Sequence, residues 1–316
     1  MIRARIRDFR RSDAPRLAPL VYACNRVDGW AFRETVEILT PDQADPSVPP
    51  EQYWLVAESG GKLVGLAGLG RETGTRLYAL LWVAPDCRGG PIEVELIEGL
   101  CSKAKGLPEP YLDVAVRPTQ STYAAALESG QAFTVVRTWY VMRIELDRDL
   151  PPPFYPRGVT VRSFAGAQDE AMLTTLIHDC FWDHWGEGTH TLEDTRYGVQ
   201  LPGFDPQLLL VAERDRQPLG YVWSWTNEPR TAVAGRSCAY IGDLGVRAAF
   251  RRQGLGRALL LQSLRDLKAR GMGAAELDMD GPNENARRLY ESVGFYPYQE
   301  VRWYRRELRD ETEGKK

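Results

Sequence analysis

The chain has 316 residues, which at roughly 100–200 residues per domain suggests two domains. With 40 Lys+Arg against 43 Asp+Glu and a net charge of −3, it lacks the cationic excess expected of a nucleic-acid binder. Its 43% hydrophobic and 26% charged content excludes wholesale disorder.

No apolar run approaches the roughly 18 residues of a membrane span, and the basic start Met1–Arg7 lacks the apolar stretch of a signal peptide. Cys24, Cys87, Cys101, Cys180 and Cys238 are scattered and odd in number, with no CxxC pair. They read as reduced thiols of a cytoplasmic protein.

In chain order, the first half opens with an alternating strand over Ile2–Phe9 and a capped helix from Ser12-Asp13. A hairpin follows, Trp54–Glu58 turning at Gly60-Gly61 into Leu63–Leu69. The segment 147–158 holds four prolines within six residues and reads as a stiff extended linker. The second half repeats the plan: a strand at Val159–Phe164, a helix from Gln168, and a hairpin of Leu208–Glu213 and Leu219–Trp225. The ends also match. Ala126–Gly130 through Trp139–Leu146 echoes Leu289–Gly294 through Trp303–Leu308. One long repeat means a duplicated domain rather than a solenoid. The expected division is domain 1–147, linker 148–158, domain 159–309 and charged tail 310–316. The fold class is α/β, with a mixed sheet flanked by helices in each domain.

The sharpest local pattern is the strand Ala239–Val246, the turn Arg247–Gly256, and an amphipathic helix through Leu267. Gly254 and Gly256 allow close backbone approach, and the helix start offers unpaired amides with partial positive charge among Arg251, Arg252 and Arg257. This predicts a phosphate or pyrophosphate site. A nucleotide triphosphatase loop would need Gly-Lys-Ser/Thr, and a dinucleotide fold would need a third glycine. A simple tight turn is the bland alternative.

Arg251-Arg-Gln-Gly-Leu-Gly256 resembles the acyl-CoA signature of the GCN5-related N-acetyltransferase (GNAT) family. Ala275–Gly281 looks like that family's fifth strand, and Asn283–Phe295 like its following helix. The two-copy layout resembles the tandem acetyltransferases of the mycothiol-synthase type. The resemblance implies a splay between the fourth and fifth strands. It also implies acetyl-CoA as co-substrate and transfer of acetyl to a primary amine of a small molecule by direct attack. The main chain of Leu244, Gly245 and Val246 would hold pantetheine. Arg251, Arg252, Gln253, Gly254, Leu255, Gly256 and Arg257, with Asn283 and Asn285, would hold the rest of the cofactor. Tyr290 falls on the general acid, with a core tyrosine as the alternative. Protein or peptide amines are an alternative acceptor. A non-catalytic acyl-CoA sensor is the rival class.

Two positions depart from the mycothiol-synthase pattern. Tyr240 stands where a substrate-binding Glu is expected and Trp225 where a Lys is expected. The base is therefore not identified. Asp243 should point to the opposite face if the strand alternates, and Asp278, Asp280 or Glu187 stay open. Trp182, Trp185, Trp223, Trp225 and Tyr240 are candidate acceptor residues, with packing, including packing between the domains, as the alternative. His178, His184 and His190 with Cys180 match no zinc template, so no metal is expected. In the first half, Pro91 and Ile92 stand where the loop should donate amides, which reads as a copy that has lost its cofactor. Oligomeric state is not legible.

Overall fold

The computed structural model describes residues 3–29, 47–72, 76–130, 132–182, 184–185, 189–201, 203–226, 231 and 235–308. Two compact units result, Met1–Trp139 with Glu300–Lys316, and Tyr140–Gln299. The described stretch Glu300–Leu308 thus belongs with the first unit, not with the 159–309 domain expected from the sequence.

The first unit contains β1 (Arg5–Asp8), α1 (Ala14–Asp28), α2 (Pro50–Tyr53), β2 (Trp54–Ser59), β3 (Lys62–Glu72), β4 (Arg76–Val83), α3 (Pro91–Ala104), β5 (Tyr111–Val116) and α4 (Ser121–Glu128). Its sheet order is β1-β2-β3-β4-β5, completed by β12 (Tyr296–Glu307), whose Arg302–Glu307 stretch runs antiparallel to β5.

The second unit contains β7 (Thr160–Ser163), α5 (Glu170–Phe181), α6 (Leu192–Gln200), β8 (Leu209–Arg214), β9 (Gln217–Thr226), β10 (Cys238–Val246), α7 (Leu255–Ala269), β11 (Ala274–Asp280) and α8 (Glu284–Val293). Its order is β7-β8-β9-β10-β11, completed by β6 (Thr134–Glu145) from Tyr140 onward. Among the pairings described within each unit, one is parallel, β4 with β5 and β10 with β11, and the others are antiparallel.

The duplication reaches individual side chains. Arg7 grips Asp13 at 2.7 and 2.8 Å, Asp13 caps the Arg10 amide, and Arg7 also reaches Glu58. Arg162 grips Asp169 at 2.5 and 3.0 Å, Asp169 caps the Ala165 amide, and Arg162 reaches Glu213. The guanidinium holds each aspartate below the usual carboxylate range; for Asp169 burial opposes it and is the largest single influence. Both latches fix the first helix to the sheet edge.

In the second unit α7 buries Leu255, Leu259, Leu260, Leu264 and Leu267 against Ala239, Ile241 and Leu277 on one face of the sheet. On the other, α5 buries Leu173, Leu176, Ile177 and Cys180 against Leu209, Val211, Tyr221 and Trp223. Each fully buried large apolar side chain is worth about 1.5–3 kcal/mol, so the two helices clamp β8–β10 as a rigid platform. The proline-rich segment is extended, as its composition dictates, but it is not a free linker. Leu150 and Tyr155 pack on the α7 core, and the Arg148 and Leu150 carbonyls accept bonds from Lys268 and Arg265.

Candidate active site

Parallel pairing of β10 with β11 runs from Cys238 opposite Ala274 to Ile241 opposite Leu277. β10 continues to Val246 and β11 to Asp280, so the strands part beyond Ile241. This is the expected splay, and Leu244, Gly245 and Val246 lie along its open edge. Gly245 tolerates no side chain, because a Cβ there would stand 2.8 Å from Cys180 Cβ and from the Tyr221 ring.

The loop beyond β10 leads straight into α7. Gly254 is its N-cap at φ +84°, a left-handed conformation that favours glycine, and Arg252 is left-handed as well. The first amides of α7, from Leu255 onward, have no acceptor within the helix and carry the positive end of its dipole. Gly256 faces Leu289 and Val246 at ordinary contact distances. Arg252, Gln253 and Gly254 are exposed, while Arg257 is half-buried. The Arg251 guanidinium is already committed, with Nε donating to the Val246 carbonyl at 2.9 Å and Nη2 to the Cys180 carbonyl at 3.0 Å. It ties the end of α5 to the end of β10. Its side chain is engaged within the protein, where the sequence pattern suggests a phosphate-facing arginine.

Asn283 caps α8, its Oδ1 accepting from the Ala286 amide at 3.1 Å, and Asn285 is exposed in the first turn. Tyr290 lies further along α8, half-buried, with its ring 5.9 Å from that of Phe295. Burial pushes its phenol up to about 12, with the charge of Asp243 adding to the effect. It therefore carries its proton throughout the neutral range.

One residue-level expectation is overturned here. The register of β10 against β9 shifts between Ile241 and Asp243: Ile241 opposes Ser224, Asp243 opposes Trp223, and Gly242 is the extra residue. A bulge of this kind breaks strict alternation. Opposed residues share a face, so Asp243 projects to the side of Trp223, not away from it. On that same face Trp223 stacks on Trp225 at 4.9 Å and 21°, and Trp225 stacks on Tyr240 at 6.3 Å and 28°. Gly242 makes room for this row, since a Cβ there would lie 2.1 Å from the Trp225 ring.

The model of the Acetyltransferase (GNAT) family matches residues 175–295. A mycothiol acetyltransferase of Frankia casuarinae is 35% identical over 248 residues, 75% of this chain and 70% of that one. Another from Frankia alni is 33% identical over 300 residues, 90% of this chain and 88% of that one. The chain belongs to the GNAT acetyltransferase family. It is an N-acetyltransferase with the tandem fold: a tandem GNAT protein from the clavulanic acid biosynthesis pathway superposes with a TM-score of 0.73 at 16% identity, covering 97% of this chain and 99% of that one.

Within this GNAT frame, the acceptor candidates separate. Trp223 is only 4% exposed, edge-on to Phe204 at 5.7 Å, and part of the core under α5; its indole N–H is buried with no hydrogen-bond acceptor among the described residues. Trp225 and Tyr240 are half-buried, and the Tyr240 hydroxyl donates to Asp278 at 3.0 Å. Trp182 is 66% exposed at the end of α5, and Trp185 is half-buried. Glu187 lies outside the described residues, as does the tail from 309 onward. Glu276 is paired with Arg143 at 3.1 Å. Among the described residues no group of His, Cys, Asp and Glu is placed to hold a metal ion, and no helix is long and apolar enough to cross a membrane.

The first unit keeps the splay but fills it. Its β4–β5 pairing is confined to Leu77–Ala79 opposite Leu112–Val114. The Val83 amide donates to the Tyr123 hydroxyl at 2.8 Å, and Arg88, paired with Asp28 at 2.5 Å, lies over the Tyr123 ring. At the start of α3, the Glu93 carboxylate accepts from the amides of Gly89 and Gly90, at 2.6 and 3.4 Å. The Val83 amide at the splay and the Gly89 and Gly90 amides just before α3 thus already have internal partners.

Proposed function

We propose that the second unit transfers the acetyl group of acetyl-CoA to the primary amine of a small molecule. The parting of β10 from β11 beyond Ile241, immediately before the α7 start, carries this reading. An open strand edge presents main-chain groups to the pantetheine amides at Leu244, Gly245 and Val246. The α7 start takes the pyrophosphate with the amides leading to Gly256 and with Arg252 and Arg257. Gln253, Leu255, Asn283 and Asn285 border the same region. Arg251 shapes the loop through its bonds to Val246 and Cys180.

Acetyl-CoA supplies an activated thioester, so the chain has three tasks. It holds the two substrates together, which supplies much of the acceleration. Main-chain N–H groups at the open edge face the oxyanion. Tyr290, a phenol kept protonated by burial, gives its proton to the departing CoA thiolate. The half-buried Trp225 and Tyr240 form the acceptor wall, with Trp182 and Trp185 nearer the α5 end. They favour an amine on a flat or apolar body. The mycothiol acetyltransferase relatives support a small-molecule acceptor, while Trp225 and Tyr240 argue for one of different shape. The first unit, its amides occupied by Tyr123 and Glu93, binds no acetyl-CoA in this reading.

The test is free-thiol release from acetyl-CoA with phenethylamine and tryptamine. Amine-dependent release with an acetylated product is expected. Tight acetyl-CoA binding with no amine-dependent release would instead indicate a sensor.

A further inference from the structure

We propose that Asp243 is the general base of the transfer, brought by the Gly242 bulge onto the acceptor face and to the open edge shared with Tyr290. This rests on the acetyl-transfer reading above.

The placement follows from register. In an unbroken strand Asp243 would alternate to the α7 face, among leucines. The extra residue at Gly242 sets Asp243 opposite Trp223 instead, in the row that continues through Trp225 to Tyr240. Asp243 comes immediately before Leu244, Gly245 and Val246, so its carboxylate stands where the thioester end of pantetheine would meet the acceptor.

Two other carboxylates of β11 are engaged. Asp278 accepts from Tyr240 and Glu276 pairs with Arg143. The ionisable groups that face Asp243 are Tyr290 from α8 and Cys180 from α5. Both are pushed up to about 12, chiefly by burial, and Asp243 contributes to each. Of the nearby cations, Arg247 pairs with Asp179 at 2.9 Å and Arg251 bonds to carbonyls. Burial pushes Asp243 itself up to about 6, which leaves it ionised at neutral pH yet a better proton acceptor than an ordinary aspartate.

The proton balance closes between the two residues. The amine, having lost its ammonium proton to solvent, attacks the thioester carbon, and a C–N bond forms. Its surplus N–H proton passes to Asp243. Collapse of the tetrahedral intermediate breaks the C–S bond, and the Tyr290 O–H protonates the thiolate. The proton on Asp243 then returns to the Tyr290 phenolate, which restores both groups.

The experiment compares the full chain with Asp243→Asn and Asp243→Glu, measuring acetyl-CoA affinity by calorimetry and the pH dependence of thiol release with phenethylamine and tryptamine. Wild type is expected to show kcat/KM, referred to the concentration of free amine, rising with pH through a midpoint near 6. Asp243→Asn should lower kcat by roughly 10²–10⁴-fold, abolish that limb and leave acetyl-CoA affinity unchanged. Asp243→Glu should recover part of the rate together with a limb. An Asp243→Asn enzyme that keeps both rate and limb overturns the assignment and leaves acetyl transfer standing. Wild type that binds acetyl-CoA yet acetylates neither amine overturns the acetyl-transfer reading in favour of a sensor, and the base with it.

Discussion

The Tyr123 hydroxyl accepts a hydrogen bond from the Val83 amide at 2.8 Å, closing in the first unit the strand edge that stays open in the second. Val83 ends β4 as Val246 ends β10. The helix that carries Tyr290 in the second unit has Leu127 at the matching point of its echo, and a tyrosine one turn earlier reaches into the splay. In the first unit the Val83 edge amide is taken up by the protein's own Tyr123 side chain; in the reading proposed above, the matching edge of the second unit serves the cofactor.

Tyr123→Phe removes this acceptor and keeps the ring. Tyr123 is 1% exposed, so the Val83 amide is left without its partner in a dry site. The first unit should lose about 1–3 kcal/mol, read by denaturant unfolding, while acetyl transfer is unchanged.

Tyr290→Phe likewise keeps the packing against Phe295 and removes only the proton donor. The expected result is a fall in kcat of roughly 10²–10⁴-fold with acetyl-CoA affinity barely altered. An unchanged kcat, with chemistry shown to limit the rate, would reduce Tyr290 to a packing residue.

Trp223 and Trp225 should respond differently although their rings stack. Trp223→Ala empties a core position and should cost about 3–5 kcal/mol in unfolding free energy. Trp225→Ala, at the half-buried position assigned above to the proposed acceptor wall, should raise KM for the amine with a smaller stability loss. The pair is separated by thermal melts run beside amine-saturation kinetics.

Asp243 gives a stability signature of its own. Burial raises its pKa from 3.8 in the unfolded chain to about 6 in the fold. Between those values the folded state holds more protons than the unfolded state. Its contribution to stability is therefore fully present below about pH 4 and declines as pH rises through 6. Asp243→Asn should melt higher than wild type at pH 7.5 and gain little at pH 4, even as its activity falls.

Much of this was legible from local chemistry. The hairpins were marked by their turns, and the α7 start by Gly254 and Gly256. Three features were not. The Trp139–Leu146 and Trp303–Leu308 segments echo one another, so sequence alone could not say that Glu300–Leu308 belongs with the first unit. The Arg251 side chain looked like a phosphate ligand because its acceptors, the Val246 and Cys180 carbonyls, come from main chain that has no sequence signature. The bulge did leave a trace. Gly242 interrupts an apolar strand, and a glycine there often marks a bulge. Strict alternation put Asp243 on the wrong face.

Calorimetric titration of the full chain with acetyl-CoA, beside Gly256→Glu, tests the central claim most directly. The added carboxylate would stand at the α7 start against the pyrophosphate, while a Cβ at this position meets only ordinary contacts with Leu289 and Val246. The expected result is about one site per wild-type chain and none in the variant. Two equivalent sites in wild type, or a site that survives in Gly256→Glu, would contradict an acetyl-CoA site confined to the second unit.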